Sequence, residues 1–226
     1  MMRAIYYLLV LCGLLALAFS FASAQTAAPA ATGGAVPASA QEVLDKMMAR
    51  NAGLNSYTAR VHVDLRMKSF PYLAPKLDGT SYYKRPDKSE VVFDSVPSYA
   101  KGFQKLFNDV ADPMGWEADQ NVALQGMGSL NGRPMILLIL TKKIHSDILD
   151  HTTVYVDPAN YELMQMEWHY TNGGVIVMKQ FYRVEDGFSV VAQQHVDIDY
   201  RVRAVGDSQY APYRTNVPVD DSVFKP

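Results

Sequence analysis

The sequence is poor in cysteine and in charge. Cys12 is the only cysteine in 226 residues, which excludes a disulfide framework, a cysteine zinc site and a CxxC redox pair. Charged residues make up 19% of the chain, and 21 Lys and Arg against 23 Asp and Glu leave a formal net charge of -2. Because there is no long basic run, nucleic-acid binding is not expected. Apolar residues nevertheless make up 49%, enough to bury the core of one domain or at most two.

Residues 1–24 have the pattern of a secretory signal peptide. Arg3 precedes an uncharged stretch, Ala4–Phe21, and Ala22-Ser23-Ala24 supplies small residues for signal peptidase. We expect cleavage after this site and a periplasmic protein without cysteine, which suits an oxidising compartment. An uncleaved membrane anchor is the alternative. A lipoprotein signal at Cys12 is disfavoured, because Leu11 stands where a small residue is required.

A flexible linker and then one folded domain are predicted after the signal peptide. Residues 25–38 are rich in Ala, Pro, Gly and Thr and have no apolar period, which is typical of a linker. Ser39-Ala40-Gln41-Glu42 has the pattern of a helix-capping box. The spacing of the next apolar residues predicts a helix over 40–52, closed by Gly53 as a left-handed cap. Its apolar stripe consists of Val43, Leu44, Met47 and Met48. The folded domain is expected to cover 39–226.

The rest of the chain is dominated by strand patterns. From Tyr57 to Met67 the apolar period is two, typical of an antiparallel strand with one wet face. Similar segments, separated by short turns, predict eight to eleven strands. Those after the first are 80–84, 90–94, 122–127, 135–142, 152–156, 161–170, 175–184, 190–204 and 219–224. A second amphipathic helix is predicted over 98–110, ended by Asp112-Pro113 and Gly115.

Successive strands with short turns predict a mainly β (α+β) fold. We expect a curved antiparallel sheet that forms an incomplete barrel, covered on its concave face by the two short helices. Two helices are few for a sheet of this length, so the interior is expected to enclose a cavity. The alternative is that large side chains fill the space.

Three short motifs resemble the LolA-like fold, whose members include periplasmic lipoprotein carriers. They are the first helix ending in Asn55-Ser56-Tyr57, the segment Gly79–Lys88 with its Lys84-Arg85-Pro86 turn, and the closing segment Val219–Phe224. The carriers usually have an Asp-Gly-Lys turn and an aromatic residue after the second hairpin, whereas this chain has Val96–Trp116 there. The resemblance therefore indicates the broad superfamily more than the dedicated carrier.

This resemblance implies an unclosed barrel with an apolar cavity for acyl chains. A chain that crosses an aqueous compartment needs a dry pocket, because each buried CH2 is worth about 0.8 kcal/mol. Methionine suits such a lining, since its flexible side chain adapts to ligands of varying shape. The candidate lipid-binding residues are Met47, Met48, Phe70, Tyr72, Leu73, Phe103, Leu106, Phe107, Met164, Met166, Trp168 and Met178. Met164, Met166 and Trp168 are expected on one strand face, and ordinary core packing is the alternative for each candidate.

The segment Phe70–Pro75 is unusual because it joins two strands but is apolar. Most loops are polar and lie on the surface. The segment is therefore a candidate cavity flap or membrane contact. A loop tucked under the rim of the sheet is the alternative.

No catalytic or metal motif is present. The sequence has no G-x-S-x-G, phosphate loop or HExxH pattern. His62 and Asp64, and likewise His195 and Asp197, share an outer strand face. Two such pairs could bind a metal, but the outer face of an antiparallel sheet is wet, so cross-strand ion pairs are expected instead.

The sequence predicts a non-catalytic periplasmic carrier without cofactor or metal. It would bind lipid or lipoprotein acyl chains for transfer towards the outer membrane, with an inner-membrane donor and an outer-membrane acceptor as further partners. The alternative is an envelope sensor or interaction module on the same fold. A hydrolase is disfavoured, since it needs a clustered polar pocket inside the sheet.

Overall fold

The structure is a computed structural model that describes residues 36–86, 88–98 and 113–224. These residues belong to one compact unit, Gly34–Pro226. The signal peptide, nearly all of the linker and the helix predicted over 98–110, apart from its first residue, lie outside the described residues. Within the described ranges, no helix is long and apolar enough to cross a membrane.

Ten strands form one antiparallel sheet. They are β1 Ser56–Met67, β2 Lys76–Lys84, β3 Lys88–Phe93, β4 Gln120–Leu130, β5 Arg133–Lys142, β6 Leu149–Val156, β7 Leu163–Tyr170, β8 Val175–Glu185, β9 Phe188–Asp199 and β10 Arg203–Thr215. Their order is β3-β2-β1-β10-β9-β8-β7-β6-β5-β4. The two edge strands, β3 and β4, do not pair with each other, so the sheet is an incomplete barrel. The predicted fold class is confirmed.

The period of two places one face of each strand in the core. In β1 the predicted inner residues are buried except Tyr57, which is half-buried against the core, and the residues between them lie on the outer face. The buried residues of β1 are Ala59, Val61, Val63, Leu65 and Met67. They belong to a single hydrophobic cluster that also receives side chains from the first helix. This cluster is the concave core of the barrel.

Helix α1, Ala40–Ala49, begins at the predicted capping box. The Ser39 hydroxyl accepts a hydrogen bond from the Glu42 amide at 3.1 Å. The Glu42 carboxylate accepts from the Ala38 amide at 2.8 Å, one residue before the usual partner. The helix ends earlier than predicted, with Arg50 as its right-handed C-cap residue. The prediction of Gly53 as a left-handed cap is therefore wrong.

The segment predicted as one long strand, 190–204, is in fact two strands. Residues 200–202 form a turn between β9 and β10, and most of β10 was missed. Ile198 pairs directly with Ala204 across this turn, and direct cross-strand partners lie on the same face of a sheet. The inward pattern therefore continues through the turn as if the strand were unbroken.

Two further segments differ from the expectation. Gly115, which was expected to help end a helix, lies inside helix α2, Pro113–Asp119, and the end of the helix predicted over 98–110 lies outside the described residues. The segment 219–224, expected as a strand, contains a 3-10 helix, Asp221–Phe224. The Asp220 carboxylate accepts from the Ser222 amide at 2.7 Å, and such aspartate turns compete with strand pairing.

The hairpin of β2 and β3 at the edge of the sheet packs closely at Gly79, and this packing can be tested by substitution. A Cβ at Gly79 would lie 2.5 Å from the Val92 carbonyl oxygen, whose backbone cannot move without disturbing the ladder. We expect Gly79→Ala to lower the free energy of unfolding by about 1–3 kcal/mol in urea denaturation. The matched control is Gly115→Ala in α2, where the added Cβ meets no atom of the described residues within 4 Å. It should be neutral or stabilising by up to about 1 kcal/mol. Equal destabilisation by both substitutions would contradict the close contact between Gly79 and the Val92 carbonyl oxygen.

Candidate ligand-binding cavity

A cavity of about 190 Å3 lies between the C-terminal end of α1 and the concave face of the sheet. Its walls come from the last part of β2 and β8 and from the first part of β7 and β9. The cavity is therefore at one end of the barrel. Apolar side chains in its lining include Met47, Met48, Leu54, Val91, Leu163, Val190 and Val191, together with Trp116 of α2.

Tyrosines occupy much of the space beside this cavity. The ring of Tyr57 stacks on that of Tyr83 at 5.3 Å and meets that of Tyr213 edge-on at 5.2 Å. Tyr213 donates its hydroxyl proton to the Val191 carbonyl oxygen at 2.7 Å. Aromatic groups with one polar end can fill an interior while keeping that end hydrogen-bonded. Large side chains thus fill part of the hollow and leave a smaller cavity than the sheet alone would enclose.

Arg85 fixes the chain that follows α1. Its Nε donates to the Leu54 carbonyl at 2.6 Å, and one of its terminal nitrogens donates to the Asn51 carbonyl at 2.6 Å. A guanidinium presents several donors in a rigid fork, so it can hold both carbonyls at once. This turn of β2 and β3 therefore anchors the rim of the cavity.

A hydrogen-bonded chain of three side chains crosses the inner wall. Tyr182 donates to Gln180 Oε1 at 2.7 Å, and Gln180 Nε2 donates to Gln194 Oε1 at 3.3 Å. The guanidinium of Arg50 lies 4.8 Å from the centre of the Tyr182 ring. Burial raises the pKa of Tyr182 to about 12, and the Arg50 guanidinium opposes this rise. The lining is thus mixed: Met47 and Met48 of α1 are apolar, whereas Arg50 at the end of that helix and the glutamines of the sheet are polar.

Comparison with known proteins identifies the fold. No protein-family model and no curated protein matches the sequence. A DUF1329 family protein from Desulfovibrio piger superposes with a TM-score of 0.62 and 12% identity, over 82% of this chain and 96% of the other. An outer membrane lipoprotein-sorting protein domain from Vibrio parahaemolyticus gives 0.60 and 13%, over 81% and 94%. A LolA superfamily protein from Nitrosomonas europaea gives 0.58 and 13%, over 84% and 99%. The chain has a LolA-like fold.

Two of the predicted lipid-binding residues line the cavity of this LolA-like barrel, namely Met47 and Met48. Met166 and Met178 are buried in the hydrophobic core, and Trp168 and Leu73 pack against it. Phe103, Leu106 and Phe107 lie outside the described residues. The role of all these residues in binding lipid stays a prediction.

Met164 does not share the face of Met166 and Trp168, so this part of the prediction is wrong. The pairing of β6 with β7 shifts between Tyr155 and Val156, and Leu163 takes the place opposite Val156. Such a bulge adds one residue to a strand and moves it out of the alternation. Leu163, rather than Met164, therefore reaches the cavity.

The apolar loop containing Phe70 and Tyr72 lies at the opposite end of the barrel. It follows the last residue of β1, whereas the cavity is lined by Tyr57 at the start of that strand. The loop therefore does not cover this cavity, and the flap interpretation is wrong. Tyr72 is 80% exposed and Phe70 is also exposed, so they are not tucked under the rim. Contact with a membrane stays a prediction for these two residues.

The outer face carries ion pairs between neighbouring strands, as expected. His62 Nδ1 lies 2.8 Å from Asp78 Oδ1, and His195 Nδ1 lies 2.6 Å from Asp207 Oδ1. Lys68, the residue after β1, reaches past β10 to pair with Asp197 on β9 at 3.1 Å. No group of three or more His, Cys, Asp or Glu side chains able to hold a metal occurs in the part of the chain that the structure describes.

The lining includes residues that sequence reasoning did not single out. Gln180 and Gln194 are buried and line the cavity together with Arg50. The sequence could have indicated Gln194 as a lining residue, because it is a polar residue at an inward position between apolar residues of β9. For Arg50 the sequence offers no signal, since an arginine at a helix end is common on any surface.

The tyrosines beside the cavity predict alkaline sensitivity. Burial raises the pKa of Tyr182 from 10.0 to about 12, and it also raises the pKa values of Tyr210 and Tyr213. Between pH 10 and about 12 the unfolded chain loses these protons while the folded chain keeps them, so stability should fall as the pH rises. For Tyr182 alone the loss is about 1.4 kcal/mol per pH unit in this window. Urea unfolding followed at several alkaline pH values measures it, and tyrosinate absorbance reports the ionisation. Ionisation of every tyrosine near pH 10 in the folded protein would contradict this prediction.

Proposed function

We propose that this protein is a non-catalytic periplasmic carrier that holds an acyl chain in the cavity beside α1. The observation that carries the proposal is the apolar side of that cavity, formed by Met47, Met48, Leu54 and Leu163 on a LolA-like barrel. Flexible methionines at a helix surface adapt to alkyl chains of different shape. One of the similar solved structures is an outer membrane lipoprotein-sorting protein domain, which agrees with such a role.

The size of the cavity limits the ligand. Pockets for drug-sized molecules span about 300–1,000 Å3, and an apolar cavity of about 150 Å3 accommodates benzene. At about 190 Å3 the cavity suits one short alkyl chain or one end of a longer chain. A lipid with two or three acyl chains would need α1 to move away from the sheet.

Delivery in this proposal involves the outer membrane and its proteins. The carrier would receive its ligand from an inner-membrane donor and release it to an acceptor at the outer membrane. The exposed Phe70 and Tyr72 are a candidate contact with a bilayer, because exposed aromatic residues favour the interface between water and lipid. A bilayer bound there would lie at the end of the barrel away from the cavity.

Binding of a neutral alkyl probe tests the proposal. Met48 lies on α1 and lines the cavity, so Met48→Asp places a carboxylate where the alkyl chain would lie. An unpaired charge disfavours apolar contact, and we expect the Kd for 1-octanol to rise at least about tenfold, measured by NMR titration of the mature protein. The matched control is Met127→Asp on β4, where the methionine is 40% exposed and does not line the cavity.

Ligand binding by the wild type and by the two variants decides between the carrier and its alternative. The wild-type protein should bind 1-octanol, and mass spectrometry of organic extracts from the secreted protein should show a co-purified acyl compound. If 1-octanol does not bind, or if Met48→Asp and Met127→Asp bind it as the wild type does, the cavity is not an acyl site. The interaction-module alternative would then be favoured.

A further inference from the structure

Three residues that line the cavity each have a buried side-chain nitrogen with no hydrogen-bond partner among the described residues. These nitrogens are Arg50 Nε, Trp116 Nε1 and Gln194 Nε2. Trp116 is 3% exposed, Gln194 is 4% exposed, and Arg50 is half-buried with its Nε atom inaccessible, so bulk water does not reach these three nitrogens. Buried polar groups in proteins are nearly always hydrogen-bonded, and each exception calls for an explanation. Three unpartnered donors around one cavity indicate that a ligand with acceptor oxygens belongs there.

This conclusion does not depend on the orientation of the amide groups. Turning over both Gln180 and Gln194 would reverse their hydrogen-bonded chain and leave a different atom of Gln194 free. Arg50 and Trp116, in contrast, can only donate. Two of the three unpartnered groups are therefore donors in any arrangement.

The charges of the lining residues also favour a ligand with an anionic group. Among the described residues that line the cavity, the cations are Arg50 and Arg85, and none is an aspartate or glutamate. Arg85 uses its donors on the carbonyl groups of Leu54 and Asn51. The Arg50 guanidinium lies on the Tyr182 ring and has no carboxylate partner among the described residues. Arg50 also hydrogen-bonds the Tyr182 side chain, but its Nε has no partner among the described residues, so the lining contains one guanidinium with a donor available to an anion.

We propose that the acyl ligand is a single-chain acid whose carboxylate binds in the cavity, with Arg50 as its counter-ion. Trp116 Nε1 and Gln194 Nε2 donate to the same carboxylate, and the alkyl chain lies against Met47, Met48 and Leu163. Hydrogen bonds that combine a donor with an ionised acceptor are the strongest available in proteins, and a guanidinium edge matches a carboxylate. This inference rests on the proposed function, since it names the head group of the ligand held at that site.

A series of probes with the same alkyl chain and different heads tests the inference. They are octanoate, 1-octanol, octylammonium and octyl phosphate, titrated into the isotopically labelled mature protein at neutral pH. We expect octanoate to bind at least about tenfold more tightly than 1-octanol. The indole N–H resonance of Trp116 should shift downfield with octanoate but not with 1-octanol. The chain has two tryptophans, so Trp168→Phe assigns that resonance.

Substitutions at Arg50 separate charge from packing. Arg50→Gln should lower the affinity for octanoate to that for 1-octanol, and Arg50→Lys should retain part of the preference for the acid. The matched control is Arg60→Gln on the outer face, where the exposed Arg60 pairs with Asp94 at 2.9 Å. This control should keep the full preference.

The possible outcomes distinguish this inference from the proposed function. Equal affinities of the wild type for octanoate and 1-octanol would overturn the acid head but leave acyl binding intact, and ordered water would then satisfy the three donors. Tighter binding of octyl phosphate than of octanoate would overturn the carboxylate in favour of a phosphate head. If no probe binds, both the inference and the proposed function fail. Retention of the acid preference in Arg50→Gln would overturn the role of Arg50.

Discussion

The packing of α1 on the concave sheet is the contact on which the rest of the structure depends. Val43, Leu44 and Met47 bury one side of the helix in the core of the barrel. Beyond Ala49 the chain turns, and Arg85 holds the carbonyls of Asn51 and Leu54. The helix therefore fills the barrel with its first turns and leaves the cavity under its C-terminal end. The position of the cavity follows from where the helix ends.

Sequence periodicity predicted the sheet well, and it failed where turns preserve the inward pattern. The alternation of β1 was recognised because one face is apolar and the other is charged. β10 was missed for two reasons. The turn before it keeps Ile198 and Ala204 on one face, and Pro212 argues against a strand. Pro212 is tolerated because the pairing with β1 shifts between Ala59 and Val61, opposite the segment from Tyr210 to Tyr213, and β9 pairs with β10 only as far as Gln209.

The candidate site was less predictable than the fold. Sequence reasoning expected a methionine-rich hollow, and Met47 and Met48 do line the cavity. The other walls are tyrosine and glutamine, which a search for apolar stripes overlooks. Gln194 was visible as a polar residue at an inward position, and such a residue in a strand needs a partner inside the barrel. Trp116 gave no signal, because it lies in a segment that was expected to end a helix and instead forms α2.

The size of the ligand that can enter the cavity is linked energetically to the hydrogen bonds donated by Arg85. Moving the rim to admit a larger lipid would break the two short hydrogen bonds from Arg85, each worth about 1.5–3 kcal/mol because the donor is charged. At about 0.8 kcal/mol per buried CH2, roughly four to eight additional methylenes offset that loss. A short single chain gains too little to open the rim, whereas a long diacyl chain gains enough. If the cavity binds acyl chains as proposed, it would therefore favour small ligands, and binding of a larger lipid would be coupled to displacement of α1.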